Sequence, residues 1–279
     1  MKTILFTIFS MAIMSVASSQ LRMPQPSPTQ YIKQDFGLAS IELTYARPSA
    51  KGRTMIGNVE PWNVVWRTGA NAATKIRFNE PVEILGNKID TGNYAIYTIP
   101  QKNGDWTFIL NKGISNWGAD GYKESDDVMR AQVKATKNAS KVETFTMQFS
   151  DIKPESITLN IKWEDFALKI PITTNIKDKL RASVEAALKS DNKPYWQAAQ
   201  FYADWDNNKK RALELVNEAV GQSSNPPFYM VHYKAKLQSD LGDKKGALAS
   251  AKQSLELSKT AKNNAYIQLN EKLISELNK

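Results

Sequence analysis

Residues 61–78 read PWNVVWRTGANAATKIRF, which places two tryptophans, an arginine, a turn and a strand within one short span. Gly69 and Asn71 are residue types that favour tight turns, and Thr74–Phe78 has the character of a β-strand. The span contains no nucleophile beside a base, no metal-ligand spacing and no glycine pattern that would cradle a phosphate. It therefore predicts an architecture and leaves the activity open.

Strand character continues on both sides of this span. Phe145, Met147 and Phe149 alternate with polar neighbours, which predicts one buried and one solvated face. Gly86-Asn87 and Asn103-Gly104 supply residues that tolerate positive φ in hairpin turns. Consecutive hairpins without helical periodicity indicate antiparallel sheets, so we expect an all-β sandwich or a jelly-roll-like barrel. The predicted strands are Tyr31–Phe36, Ile41–Tyr45, Val64–Arg67, Thr74–Phe78, Val82–Leu85, Tyr94–Ile99, Trp106–Asn111, Val128–Ala135, Val142–Phe149, Ile157–Trp163 and Phe166–Ile172.

The apolar period changes from two to the helical value after Thr174. Helices are predicted near residue 184 and over 195–205, 209–220, 227–241, 244–258 and 261–277. Lys209–Leu213 resembles Lys244–Leu248 at an offset of 35 residues, close to the tetratricopeptide period of about 34. We therefore predict an all-α array of helical hairpins resembling tetratricopeptide repeats, which would offer a concave surface to a protein partner. The alternative is an ordinary helical bundle packed against the sheet.

The N-terminus has the three regions of a secretory signal, with Lys2, an apolar run over 4–16 and small residues over 17–19. We predict a signal peptide over 1–19, a flexible leader over 20–30, a β domain over 31–174 and a helical domain over 175–279. Signal cleavage would leave no transmembrane segment, so the expected location is the periplasm, the cell envelope or the medium. The alternative is an N-terminal anchor helix.

The composition excludes several classes of function. The sequence contains no cysteine, which rules out disulfides, thiol catalysis and thiolate metal sites. A length of 279 residues and a hydrophobic content of 42% suit two modest globular domains. The net charge of +9 is spread along the chain without a basic stripe or motif, so we expect no nucleic-acid partner.

Five blocks distinguish the first half of the chain: Tyr45–Arg53, Trp66–Asn71, Gly92–Tyr94 with Ile99-Pro100, Trp106–Asn111 and Trp117-Gly118. Together, over roughly Ser27 to Thr174, they resemble the DUF2911 family, a set of mostly exported bacterial proteins of unknown function that is common in Bacteroidetes. The resemblance implies an all-β envelope or periplasmic module and brings no established catalytic residues. The helical extension lies outside it.

Candidate ligand-binding residues lie in or beside the predicted loops. The cations Arg47, Lys51, Arg53 and Arg67 are accompanied by the neutral donors Ser49, Thr68 and Asn71. If the loops converge, these side chains would bind a carboxylate or phosphate through charge-assisted hydrogen bonds. In the structural alternative, the arginines bond loop carbonyls or pair with Glu60 and Asp35, and Asn71 caps a turn.

Tryptophans form a second candidate set. On a sandwich, exposed indoles can serve as platforms for sugar rings, whereas buried indoles belong to the core. Trp62 and Trp117 stand beside Pro or Gly in loop-like contexts, so we expect them to be exposed and available to a glycan. Trp106 and Trp163 alternate with other apolar residues, which favours the core.

The remaining titratable residues do not indicate a metal or a catalytic triad. Asp120, Glu124, Asp126 and Asp127 form an acidic cluster whose spacing does not match a calcium loop, so we expect a solvated loop. His232 is the only histidine, and its place in a predicted helix one turn after Phe228 favours packing over catalysis.

These observations favour a non-enzymatic binding or scaffolding module of the cell envelope without a cofactor. Its helical half would contact a protein partner, and its β-domain loops would hold an anionic or glycan ligand. The alternative is an envelope carbohydrate hydrolase that uses two carboxylates, from the 120–127 loop or elsewhere, about 5 to 9 Å apart across a groove. A third hypothesis is a purely structural subunit of a larger envelope assembly.

Overall fold

The computed structural model describes residues 23–102 and 104–279, so the predicted signal peptide and Asn103 lie outside the described residues. The chain divides into two compact units. The β unit holds most of the chain up to Ile172, and the helical unit holds Thr173–Lys279 together with the turns Phe36–Ala39 and Lys153–Ser156. The predicted order, an all-β domain followed by an all-α domain, is confirmed.

The described residues form ten strands. They are β1 (Thr29–Phe36), β2 (Ala39–Ala46), β3 (Thr74–Phe78), β4 (Val82–Ile84), β5 (Asn87–Ile89), β6 (Gly92–Ile99), β7 (Trp106–Asn111), β8 (Asp127–Val133), β9 (Ala135–Lys153) and β10 (Ser156–Thr173). Their order is β1-β2-β3-β6-β7-β8 in a six-stranded sheet and β5-β4-β10-β9 in a four-stranded sheet.

The two sheets pack face to face as a sandwich rather than closing into a barrel. Alternate residues of β3 and β4 are buried, as the period of two predicts, whereas β7 is buried at every position. Trp106 on β7 contacts Phe166 on β10 with ring centroids 5.4 Å apart, and Tyr45 on β2 contacts Phe145 on β9 at 5.7 Å. The Tyr45 hydroxyl also donates to the Met147 carbonyl at 2.9 Å, so this core contact is satisfied as well as apolar.

The two strands predicted over 157–163 and 166–172 are one strand, β10. Ile161 and Trp163 are buried before Glu164, whereas Leu168 and Ile170 are buried after it, so the inward-facing parity changes within the strand. Glu164 has a φ of 47°, as expected of a bulge that inserts one residue and reverses the alternation. The bulge explains why the sequence reads as two segments.

The predicted strand over Val64–Arg67 is wrong. Within it, Trp66 alone forms a β-bridge, exchanging hydrogen bonds of 2.8 and 2.9 Å with Thr98. The left-handed residues Asn63 (φ 62°) and Thr68 (φ 54°) stand on either side and prevent a longer ladder. Because Thr74 pairs with Ile96, Trp66 occupies the position beside β6 just beyond the start of β3.

The helical unit contains six helices among the described residues. They are α1 (Lys177–Ala187), α2 (Tyr195–Asp204), α3 (Lys209–Gly221), α4 (Phe228–Asp240), α5 (Lys244–Thr260) and α6 (Asn264–Leu277). Successive helices pack against one another from α2 to α6. Within the described part of the chain, no helix has both the length and the apolar composition needed to cross a membrane.

The 35-residue offset seen in the sequence is present in the helix starts. Asn208 caps α3 by accepting from the Arg211 N–H, and Asp243 caps α5 by accepting from the Gly246 N–H. Ala212 and Ala247, also 35 residues apart, are both fully buried. Equivalent caps and equivalent buried alanines make this region tetratricopeptide-like, as predicted.

Candidate functional site

A groove of about 340 Å³ lies on the outer face of the six-stranded sheet, within the β unit. We call it the Trp117 groove. Its floor includes Thr44 on β2 and Lys75 on β3, which are paired across the two strands. One wall is the segment before β1, with Gln25 and Pro26, and the other is built by the turn after Ala70 and by Trp117. The lining residues are Gln25, Pro26, Thr29, Thr44, Tyr45, Ala46, Ala70, Asn71, Ala72, Ala73, Lys75 and Trp117.

Trp117 projects into solvent from a fixed backbone. Its side chain is 73% exposed, the largest exposure among the tryptophans in the described residues. The Ala73 N–H donates to the Asn116 carbonyl at 3.1 Å, and the Gly118 N–H donates to the Asn71 carbonyl at 3.1 Å. These two bonds tie the Trp117 loop to the turn, so an exposed indole is held without burial of its ring.

A polar network anchors the loop that carries Trp117 at the point where the loop joins β8. Asp127 accepts hydrogen bonds from Tyr122 at 2.7 Å, from Asn111 at 2.8 Å and from Arg130 at 3.1 Å. Glu124 also binds Arg130, at 3.0 Å. Burial and the hydrogen bond to Asp127 raise the pKa of Tyr122, which therefore stays protonated as a donor.

This network also accounts for half of the predicted acidic cluster. Glu124 and Asp127 share one arginine instead of facing each other across a groove. Asp120 and Asp126 make no ion pair with any described residue, and the described residues contain no group of three or more acidic or histidine side chains that would hold a metal. Glu124 and Asp127 thus hold the end of the Trp117 loop through Arg130.

Asn71 connects the two walls of the groove. It adopts a left-handed conformation (φ 59°), and its side-chain amide donates to the Ser27 carbonyl at 3.3 Å. The Arg47 N–H donates to the Pro28 carbonyl at 2.9 Å, which fixes the same segment just before β1. The structure therefore brings the predicted residues Asn71 and Trp117 together at one groove.

Thr68 lies inside the sandwich and not at the groove surface. Its hydroxyl bonds to the Trp66 carbonyl at 3.3 Å and to the Thr98 hydroxyl at 3.1 Å, and the side chain is fully buried. The Trp66 indole donates to the Gly69 carbonyl at 3.1 Å and stacks on Trp163 at 5.5 Å. The contacts of this part of the turn are those of a core segment.

Four other predicted residues lie together on the segment after β2, alongside β9. Arg47 donates to the Phe145 carbonyl at 3.1 Å and to the Thr146 hydroxyl at 2.9 Å. Arg53 donates to the carbonyls of Ser49 and Ala50 at 3.1 and 2.9 Å. The Ser49 hydroxyl bonds to Thr144, and the Lys51 N–H donates to Glu143. The two arginines thus bond carbonyls, as the structural alternative expected, although neither Glu60 nor Asp35 is the partner.

Arg67 and Trp62 are not among the residues that line the Trp117 groove. Arg67 shares no hydrogen-bond partner with Arg47 or Arg53 among the described residues; its Nε is buried without one, and its Nη1 lies beside Gly118. Burial raises the pKa of Glu60, and the nearby Arg67 opposes that shift. Trp62 is half-buried, with Phe166 at 5.7 Å and Gly57 against its indole nitrogen. The ligand-binding roles of these residues stay predictions.

His232 belongs to a buried polar network of the helical unit. Its Nδ1 lies 2.8 Å from Asn270 Oδ1, and the Asn270 amide donates to the Ser254 hydroxyl at 3.0 Å and to the Tyr266 carbonyl at 2.7 Å. Ser254 in turn donates to the Phe228 carbonyl at 2.8 Å. The histidine therefore packs between α4, α5 and α6.

Sequence reasoning missed the floor of the groove. Thr44 and Lys75 are the solvated positions of strands whose buried positions were recognised, and nothing in their spacing marks them as a pair. A signal was present, because strands of alternating pattern leave their polar residues on one shared face. The alternating pattern does not show that β2 pairs with β3, and this pairing is what brings Thr44 and Lys75 together.

One comparison with known proteins bears on the β unit. The model of a family described as protein of unknown function (DUF2911) matches residues 27–172, slightly more than half of the chain. Comparisons with curated proteins and with solved structures gave no match.

Proposed function

Because the chain belongs to the DUF2911 family, whose description assigns no activity, we propose a function from the site itself: non-enzymatic binding of a carbohydrate in the Trp117 groove. One observation carries the proposal. An indole that is 73% exposed stands beside the hydrogen-bonding side chains of Asn71, Thr44 and Lys75 in a concave site. Sugar rings are recognised by this combination, since their apolar faces stack on indoles and their hydroxyls need donors and acceptors.

The chemistry of the lining favours binding over hydrolysis. None of the described residues that line the groove is an aspartate, a glutamate or a histidine. Glycoside hydrolysis ordinarily needs a carboxylic acid and a carboxylate on opposite sides of the bond. In the 120–127 loop, Glu124 and Asp127 both bind Arg130. The groove thus supports a ligand without supplying an acid-base pair.

The test is a glycan array probed with the full chain and with the Trp117→Ala variant. Loss of the stacking surface should weaken binding about tenfold, which corresponds to about 1.4 kcal/mol. Tyr229→Ala, which removes an exposed aromatic ring of the helical unit, is the matched control and should bind as the parent does. A parent protein that binds no glycan, or a Trp117→Ala variant with the parent's pattern, would overturn the proposal.

The same experiment separates binding from hydrolysis. Glycans recovered after incubation should keep their length by mass spectrometry. Shortened products made by the parent protein and not by Trp117→Ala would instead support the hydrolase hypothesis.

A second candidate function is docking of a protein segment on the helical unit. Trp196 on α2 packs edge-on against Tyr229 and Tyr233 on α4 at 5.6 and 5.2 Å, and Tyr229 remains 37% exposed. Aromatic residues of this type are enriched where proteins bind each other. A photo-crosslinking side chain at position 229 should give a discrete adduct in cells, whereas the same probe at the exposed position Lys252 should not. Equal adducts at both positions would contradict this role.

Export to the cell envelope is part of the proposal. Its support is the sequence pattern of residues 1–19, with a charged start, an apolar run and small residues before Gln20. N-terminal sequencing of the protein recovered from cell fractions should find a chain that begins near residue 20 in the envelope fraction. A chain that retains Met1 in the cytoplasmic fraction would contradict export.

A further inference from the structure

The floor of the Trp117 groove continues along the sheet as a row of cations. Lys75 lies in the groove, and Arg77 is the next residue on the same face of β3, about 6.7 Å further along the strand. On β2 their paired neighbours are Thr44 and Glu42. Lys33 on β1 completes the row, because it lies on the same strand face as Thr29, a residue of the groove, and, like Arg77, lowers the pKa of Glu42. We call Lys33, Lys75 and Arg77 the cation row.

The positive charge of this row is offset only in part, because three cations face the two carboxylates Glu42 and Asp35. All three cations are exposed, and none forms an ion pair with a described residue. Glu42 is the carboxylate among them, and it already accepts hydrogen bonds from Asn79, at 3.0 Å, and from Tyr31. Asp35 follows Lys33 by two residues on β1 and lies further from the groove. The row therefore keeps an excess of positive charge next to the groove.

A second exposed ring lies on the same face. Tyr31 is 57% exposed and follows Thr29, a residue of the groove, by one repeat of the strand. Its hydroxyl donates a hydrogen bond to the Glu42 carboxylate. Trp117 and Tyr31 are thus two exposed aromatic rings on the face of the sheet that also carries the cation row.

Resting on the carbohydrate-binding function proposed above, we infer that the groove and the cation row form one extended site for an acidic oligosaccharide. One sugar ring lies on Trp117, and carboxylate or sulfate groups of the following sugars bind Lys75 and Arg77. Charge-assisted hydrogen bonds are about twice as strong as neutral ones, so the charged groups select acidic over neutral chains.

The experiment compares matched pairs of ligands that differ in charge. The full chain is titrated with tetragalacturonic acid and its methyl ester, and with dextran sulfate and dextran of the same length. At least one acidic member should bind about tenfold more tightly than its neutral counterpart, and added salt should reduce the difference. Lys75→Gln and Arg77→Gln should each remove most of the preference, whereas Lys88→Gln, an exposed cation on β5, should leave it unchanged.

The outcomes separate this inference from the carbohydrate-binding proposal. Equal affinity for the acidic and neutral members of both pairs, or no binding of any of the four, overturns the acidic-ligand inference. If Trp117→Ala still weakens glycan binding on the array in that case, carbohydrate binding stands. A preference that survives Lys75→Gln and Arg77→Gln also overturns the inference, because the charge would then be read elsewhere.

Discussion

Glu164 illustrates how a single buried carboxylate organises a loop of the β unit. Its side chain is almost completely buried and accepts hydrogen bonds from the N–H groups of Met55 and Ile56, both at 2.9 Å. Lys141 is the nearest cation, 3.6 Å away. The carboxylate thus satisfies two backbone donors that would otherwise be buried without partners.

We expect Glu164→Gln to destabilise the β unit by about 1.5–3 kcal/mol, because hydrogen bonds to a charged acceptor are replaced by weaker neutral ones. Urea unfolding followed by tryptophan fluorescence measures the change. The control is Glu143→Gln, an exposed glutamate that accepts one backbone bond from Lys51, and its effect should be much smaller. Equal unfolding midpoints for the two variants would contradict a structural role for the buried charge.

Single residues were predictable from the sequence only where their neighbours in the chain decide their environment. Trp117, next to Gly118, was expected to be exposed and is exposed. Arg47 could not be interpreted in this way, because its acceptors, Phe145 and Thr146, lie about a hundred positions further along the chain. Whether an arginine faces a ligand or a carbonyl depends on that long-range pairing.

Strands and helices differed in how fully the sequence predicted them. The helices α2 to α6 begin within three residues of the predicted starts, because caps and the 35-residue offset are local signals. The bulge at Glu164 and the isolated bridge at Trp66 were missed, because the left-handed conformations of Glu164 and Thr68 are rare for residues that are neither glycine nor asparagine. Propensity gives no warning of a glutamate or threonine with positive φ.

The packing of α4, α5 and α6 should depend on pH through His232. Burial lowers the pKa of His232, its hydrogen bond to Asn270 opposes that change, and Lys236 lowers the pKa further. The unfolded chain therefore binds the proton more readily than the folded one. The stability contributed by neutral His232 is fully present above the ordinary value of about 6.5 and is lost as the pH falls below it.

Amide exchange of α4, corrected for the intrinsic rate, should therefore be faster at pH 5.5 than at pH 7.5. His232→Gln should flatten this dependence, since glutamine does not titrate and can still bond to Asn270. Amide exchange in β7, which belongs to the β unit, serves as the internal reference. A pH dependence that persists in the variant would assign the effect to another group.

At the scale of the whole molecule, the order of the two domains was predictable, whereas the order of the strands was not. The change in period near Thr174 separates the two kinds of secondary structure in any sequence window. Val82–Ile84 alternates just as Thr74–Phe78 does, yet β4 joins the four-stranded sheet and β3 the six-stranded sheet. Periodicity assigns a strand to a core without saying which sheet it enters, so the groove on β2 and β3 could not be placed.

The chain enters the helical unit through a contact with the turn of the β9–β10 hairpin. The Thr174 N–H donates to the Glu155 carbonyl at 3.0 Å, and the Ile176 N–H donates to the Glu155 carboxylate at 2.8 Å. Ile176 precedes α1 and has no side-chain cap of its own, so Glu155 satisfies the donor at the start of that helix.

Glu155→Ala should free this donor and weaken the first turn of α1 by about 1 kcal/mol. Amide exchange over 176–180 should then be faster by several-fold, whereas Glu155→Gln, which keeps an acceptor oxygen, should restore most of the protection. Glycan binding at the Trp117 groove should be unchanged in both variants, because Glu155 is not among the residues that line the groove. Unaltered exchange in Glu155→Ala would mean that Ile176, which is only 2% exposed, holds the helix start by packing alone.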